Sequence, residues 1–212
     1  MKLKNIILSG LFVSVLISCE GVTDISPKDS LTDASYWSKV EDLKLYANNL
    51  YTNLSAPGVD KDNVSDNCIT TNYSSYLFNE TTIPSTASEA GWTWSNIRNC
   101  NFFLTRYQKV QAAPSEVNPY VAEVRFFRAL DYFGKIKQFG DVPWYDKDLQ
   151  TADTDELYKP RDTRDFVLGK IIEDLEFAIQ WLPDADKAEK GRLNKDAART
   201  QLARVCLHEG TY

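Results

Sequence analysis

The chain has 212 residues, 43% of them hydrophobic and 25% charged, with a formal net charge of −6. That length buries a sizeable core as one domain, and the composition is that of an ordinary folded protein, which excludes wholesale disorder and a multispanning membrane protein. The acidic balance disfavours nucleic-acid binding, which depends on positive charge, and a single histidine excludes a multi-histidine metal site.

Residues 1–18 form the first predicted element. Lys2 and Lys4 precede an apolar run from Ile6 to Ile17, too short to span a bilayer but right for the h-region of a secretory signal peptide. The run ends in Leu16-Ile17-Ser18-Cys19, which resembles a bacterial lipobox. Cleavage before Cys19 leaves its sulfur as the lipid attachment point, and two or three acyl chains then hold the protein at the membrane. Residues 19–35 are polar, contain Pro27 and read as an extended, lipid-anchored tether. The sequons at Asn53, Asn63, Asn72 and Asn79 are then coincidences of a bacterial polar loop. Cys68, Cys100 and Cys206 lack the short spacing of a zinc or redox site; they read as buried free thiols, with a Cys68–Cys100 disulfide as the alternative.

From residue 36 to 212 the periodicity is helical. A first helix is predicted over Lys39–Leu54, stopped by Pro57-Gly58. Residues 57–90, rich in Asn, Ser, Thr and Asp, read as a long loop and therefore as the place to look for ligand contacts. A second helix is expected from Trp94 to Val110. A third begins at the Asn118-Pro119 cap and ends at Gly140, with one apolar stripe through Ala122, Phe126, Ala129 and Phe133 and another through Val124, Phe127, Leu130 and Ile136. Two apolar faces mean a helix sandwiched between neighbours. Asp141-Val142-Pro143-Trp144 then leaves in extended form. A fourth helix, capped by Asp162 or Thr163 and stopped by Pro183, buries one stripe. A fifth follows the Asn194 cap, with Gly210 just past its end.

Antiparallel helix pairs with small and aromatic contact residues predict an all-α, tetratricopeptide-like array with long irregular loops. The chain stops directly after a helix, which leads us to expect the N-terminal part of a longer protein. Arg125 and Arg128, on a helix buried on two faces, are expected to pair with Glu123, Asp131 or an acid of a neighbouring helix.

Two segments carry a recognisable pattern. Ala122-Glu123-Val124-Arg125-Phe126-Phe127-Arg128-Ala129-Leu130-Asp131-Tyr132-Phe133, continuing to Phe139-Gly140-Asp141-Val142-Pro143, resembles the A-E-x-R-F-x-R-A-x-x-Y-F … F-G-D-V-P signature of the SusD/RagB family. Gly191-Arg192, Ala197-Ala198 and Leu202-Ala203-Arg204-Val205 are similar to its G-R-x-x-x-x-A-A … L-A-R-V-Y-L run. Trp94, Ile97 and Asn101 match its W … I … A-N-x-F-L helix, the lipobox is a fourth match, and acidic Glu20 and Asp24 after Cys19 resemble the export signal of surface lipoproteins in Bacteroidetes.

The resemblance implies a surface lipoprotein of the outer membrane that captures glycans or oligopeptides and delivers them to a SusC-type TonB-dependent transporter. No cofactor and no metal are implied. Nothing in the spacing brings two carboxylates together across an apolar cleft, as glycoside hydrolysis requires, so binding and not catalysis is expected. Ser65-Asp66-Asn67 resembles the family's S-D-N turn, whereas Thr70-Thr71-Asn72-Tyr73 stands where the starch-binding subset has P-T-R-G, which counts against starch. Sugar capture needs flat aromatic faces and hydroxyl-bonding side chains on loops held by a rigid scaffold. The candidate ligand-binding residues are accordingly Asp66, Asn67, Asn72, Tyr73, Tyr76 and Trp92, with Trp144 and Tyr145 as further aromatics. The competing expectation is a tetratricopeptide-like envelope adaptor that binds no nutrient.

Overall fold

The computed structural model describes residues 33–54, 80 and 82–212. Cys19, most of the tether and most of the 57–90 loop lie outside the described residues. The chain divides after Tyr36. On the N-terminal side Asp33–Tyr36 is a helical turn, so the polar stretch is not extended at its end.

Five longer helices follow: α1 (Val40–Leu50), α2 (Ser95–Leu104), α3 (Pro114–Phe139), α4 (Arg164–Trp181) and α5 (Lys195–Thr211). No strand occurs among the described residues; Val142 and Asp162 form one isolated antiparallel bridge. The all-α expectation holds. Helix α3 is the central element: α1, α2 and α4 pack against it, and α5 packs against α4. Both stripes of α3 are buried except for partly exposed Leu130, which is why so long a helix is apolar on two sides. Each large apolar side chain so buried contributes about 1.5–3 kcal/mol.

Local chemistry sets the boundaries. Helix α1 is capped by Asp42, whose carboxylate accepts from the backbone N–H groups of Ser38 and Lys39 at 3.2 and 3.0 Å. It ends at Leu50 in a single 3-10 turn, Tyr51–Asn53. Helix α2 stops at Leu104 instead of reaching Val110, because the Thr105 hydroxyl donates to the carbonyls of Asn101 and Phe102 and Arg106 donates to Phe102; Tyr107–Lys109 is a separate 3-10 turn. Helix α3 begins five residues before the expected Pro119. Pro114 occupies its first position and the Glu116 carboxylate accepts from the Ala113 N–H at 3.2 Å. Pro119 sits in the second turn, where it removes a single helical hydrogen bond and leaves the carbonyl of exposed Ser115 to water.

Gly140 closes α3 with φ at +69°, a conformation that favours glycine. Thr163, and not Asp162, caps α4, accepting from Phe166 N–H at 3.4 Å. Asn194 caps α5, accepting from Ala197 N–H at 2.9 Å. Helix α5 continues through Gly210, since the Thr211 hydroxyl serves the carbonyls of Leu207 and His208 and keeps the last turn closed.

Cys100 and Cys206 are free thiols. Cys100 is buried, as expected, whereas Cys206 lies on the outer face of α5 and is exposed, because that helix packs through Ala198, Gln201 and Val205 instead. Burial pushes the Cys100 thiol up to about 12, so it carries no thiolate at neutral pH.

Candidate functional site

The site begins with a buried charge. Arg128 of α3 points at α4, where Nε and Nη2 donate to the two carboxylate oxygens of Asp174 at 2.7 and 2.8 Å, and Nη1 donates to Asn101 Oδ1 of α2 at 3.0 Å. Arg125 stands 3.6 Å from the same carboxylate. A bidentate pair in so dry a place is held because each of the three guanidinium nitrogens donates to an acceptor. The partner is therefore an acid of the neighbouring helix. Glu123 instead receives Arg192 at 3.0 and 2.6 Å, and burial pushes its carboxyl upward in spite of that guanidinium.

Asn101 transmits this order to the segment after α3. Its amide donates to the carbonyls of Tyr145 and Lys147 at 2.7 and 3.2 Å. From α3 the Tyr132 hydroxyl accepts from Tyr145 N–H at 2.7 Å, and its ring lies 4.3 Å from that of buried Trp144. Burial drives the Tyr132 phenol up, so it stays a neutral hydroxyl. Asp162 accepts from Trp144 N–H at 2.7 Å, which is why it is unavailable as the α4 cap, and Lys159 donates to the Trp144 carbonyl at 2.6 Å.

A second segment is fixed from the other side. Gln138 donates to the Ala90 carbonyl at 2.7 Å and Lys135 donates to the Thr93 carbonyl. Desolvation holds the Lys135 ammonium below the usual lysine range. Trp92 is thereby set edge-on to Trp94 and Phe139, with ring centroids 5.1 and 4.8 Å away.

Beside these two segments opens a cleft of about 560 Å³, lined by Trp92, Trp94, Ile97, Tyr145, Tyr158 and Arg161 among others. That volume falls in the range of small-molecule and oligosaccharide-sized sites. Tyr158 is 85% exposed at its mouth. Among the described residues no group of His, Cys, Asp and Glu is arranged to hold a metal ion.

Of the residues expected to bind ligand, Trp92 lines this cleft. Asp66, Asn67, Asn72, Tyr73 and Tyr76 lie outside the described residues. Tyr145 is in the cleft, while Trp144 is buried beneath it against Tyr132. Sequence reasoning missed Arg98 on α2, and also Tyr158, Lys147, Lys159 and Arg161, which sit in the segment 145–161, where no periodicity says which way a side chain faces.

Among the described residues no helix is long and apolar enough to cross a membrane. A family model described as "Starch-binding associating with outer membrane", of the SusD-like group, matches residues 23–207. Two SusD-like proteins of Formosa agariphila, P38 and P25, are 28% and 25% identical to the chain over 84% and 99% of it, covering 37% and 44% of their own length. The chain thus spans less than half of the curated relatives it matches. A crystal structure of a SusD-like protein from Bacteroides fragilis superposes with a TM-score of 0.70 at 29% identity, over 89% of this chain and 38% of that one. A second, a SusD-like carbohydrate binding protein of the same species, shares the fold with a TM-score of 0.66 at 21% identity, over 82% of this chain and 38% of that one. With its helical order, its Arg128 frame and a family match over most of its length, the chain belongs to the SusD/RagB family.

Proposed function

We propose that this chain is the glycan-capturing N-terminal region of a surface lipoprotein, anchored through Cys19 after loss of residues 1–18, that hands its ligand to a SusC-type TonB-dependent transporter. The observation that carries this reading is the open cleft. Its aromatic rings and hydrogen-bonding side chains stand on segments fixed to a buried Asn101–Arg128–Asp174 frame, which spares the ligand the cost of ordering them. The family's description as starch-binding and outer-membrane-associated supports the same class of ligand and the same compartment. The protein is then a binding protein and not an enzyme. Asp66, Asn67, Asn72, Tyr73 and Tyr76 are proposed to add contacts beside Trp92.

Calorimetry of the full-length protein against glycan and peptide libraries tests the reading. Heat with a glycan, lost in Tyr158→Ala, is the expected result. No heat with either library identifies an envelope adaptor instead. Palmitate labelling abolished by Cys19→Ala, and co-purification with a large TonB-dependent barrel, test the anchor and the partner; failure of both rejects them.

A further inference from the structure

In a chain with a net charge of −6, the described lining of the cleft contains Arg98, Lys147, Lys159 and Arg161 and no aspartate or glutamate. The rings are occupied by cations as well. Arg161 lies over Trp92 at 4.9 Å and Lys159 over Tyr145 at 5.2 Å, each from guanidinium carbon or ammonium nitrogen to ring centroid. Such stacking holds a charge in place without neutralising it.

Nearby acids leave much of this charge unspent. Asp148 is bonded at 3.0 Å by Arg106 and stands 3.5 Å from Arg98, whose side chain is 63% exposed. Lys159 is matched by Asp162 at 3.3 Å, but Glu156 lies 4.0 Å from Lys147, at the limit of an ion pair. Arg161 donates to the Asp141 carbonyl at 3.4 Å and meets no carboxylate among the described residues. The amide of Asn101, a neutral hydroxyl-binding group, is already committed to the Tyr145 and Lys147 carbonyls. The hydroxyls of a neutral sugar would accept from these cations only weakly and leave their charge uncompensated, whereas carboxylate or sulfate oxygens would bond them about twice as strongly and neutralise them.

The geometry points to an acidic oligosaccharide as the ligand, its uronate or sulfate groups meeting Arg98, Lys147 and Arg161 while a sugar face lies against Tyr158. This rests on the reading of the cleft as a glycan site. It assigns three of the cleft's four cations to the ligand, with Lys159 held by Asp162, and leaves Trp92 as the platform for Arg161.

The test is a glycan array of neutral, uronic-acid and sulfated oligosaccharides together with acidic hexapeptides, probed with the full-length protein and followed by titration of the best binder. The expected result is an anionic glycan whose affinity falls as salt rises to about 0.5 M, where charges a few ångströms apart are screened. Arg161→Gln and Arg98→Gln should each weaken it about tenfold, the size of one charge-assisted contact. Arg161→Lys should keep most of the binding, and Arg98→Gln, at an exposed site, removes misfolding as an explanation. Which anionic arm binds separates carboxylate from sulfate recognition. Neutral glycans alone, or affinity indifferent to salt and to both variants, would overturn the acidic assignment and leave glycan capture standing. Binding of peptides alone, or of nothing, would overturn glycan capture itself.

Discussion

Arg128 commits three hydrogen bonds to two helices other than its own, and in doing so fixes α2, α3 and α4 around one buried charge. Removing one partner of such a pair leaves the other unpaired in a dry interior, at a cost of about 3–5 kcal/mol. Arg128→Ala and Asp174→Ala should each lower stability by that amount in urea unfolding, and Arg128→Lys should recover little, because an ammonium cannot reproduce the planar fork. The sequence shows that a charge on a doubly buried helix must be paired. It does not show that the partner lies on α4, since periodicity reports which face is covered and not by what. The thiols differ in the same way. In the native protein a thiol reagent followed by peptide mapping should modify Cys206 and spare Cys100, which is 1% exposed and held protonated by burial; equal modification of both would show that α2 opens readily.

At the scale of the element, helix existence was legible and helix ends were not. Apolar spacing located all five helices, and the Asn194 cap was readable, with the α4 cap narrowed to Asp162 or Thr163, because a short polar side chain before an apolar stripe satisfies the first N–H groups. The starts of α3 and the ends of α2 and α5 escaped because Glu116, Thr105 and Thr211 bond the backbone in ways that several residue types could supply. Asn194→Ala should cost about 1 kcal/mol in thermal or urea unfolding, the usual cost of an N-cap.

The start of α4 is also tied to the end of α5 by Arg164, which donates to both carboxylate oxygens of Glu209 at 2.7 and 2.8 Å. Those hydrogen bonds hold the Glu209 carboxyl below the usual glutamate range, so its folded-state pKa lies below its unfolded one. The pair's contribution is therefore complete above about pH 4.3, the unfolded value, and is lost as pH falls through the folded value. Urea unfolding across the acid range should show this loss in the native chain and a flatter dependence in Glu209→Gln; identical slopes would mean that the pair contributes nothing.

At the scale of the molecule, α3 is a spine whose far end supplies Tyr132, Lys135 and Gln138 to the two segments that wall the cleft. The fold was legible from periodicity and from the family signature, because a buried spine leaves two apolar stripes in the sequence. The cleft was legible only at Trp92 and Tyr145. Its basic residues other than Arg98 lie in a segment whose shape is set by bonds from Asn101, Asp162 and Lys159, each distant in sequence from the backbone group it holds. Because Asn101 connects frame and cleft, Asn101→Ala should cost about 1–3 kcal/mol, the penalty for unsatisfied buried carbonyls, and should weaken ligand binding as well. A stability loss with unchanged affinity would uncouple the two.

Hydrogen exchange of the full-length protein, with and without the glycan selected on the array, tests the central claim most directly. Protection confined to the backbone around 92–98 and 143–161, with the α4–α5 pair unchanged, is the predicted result. Saturating ligand that protects other regions and leaves both walls of the cleft untouched would contradict it.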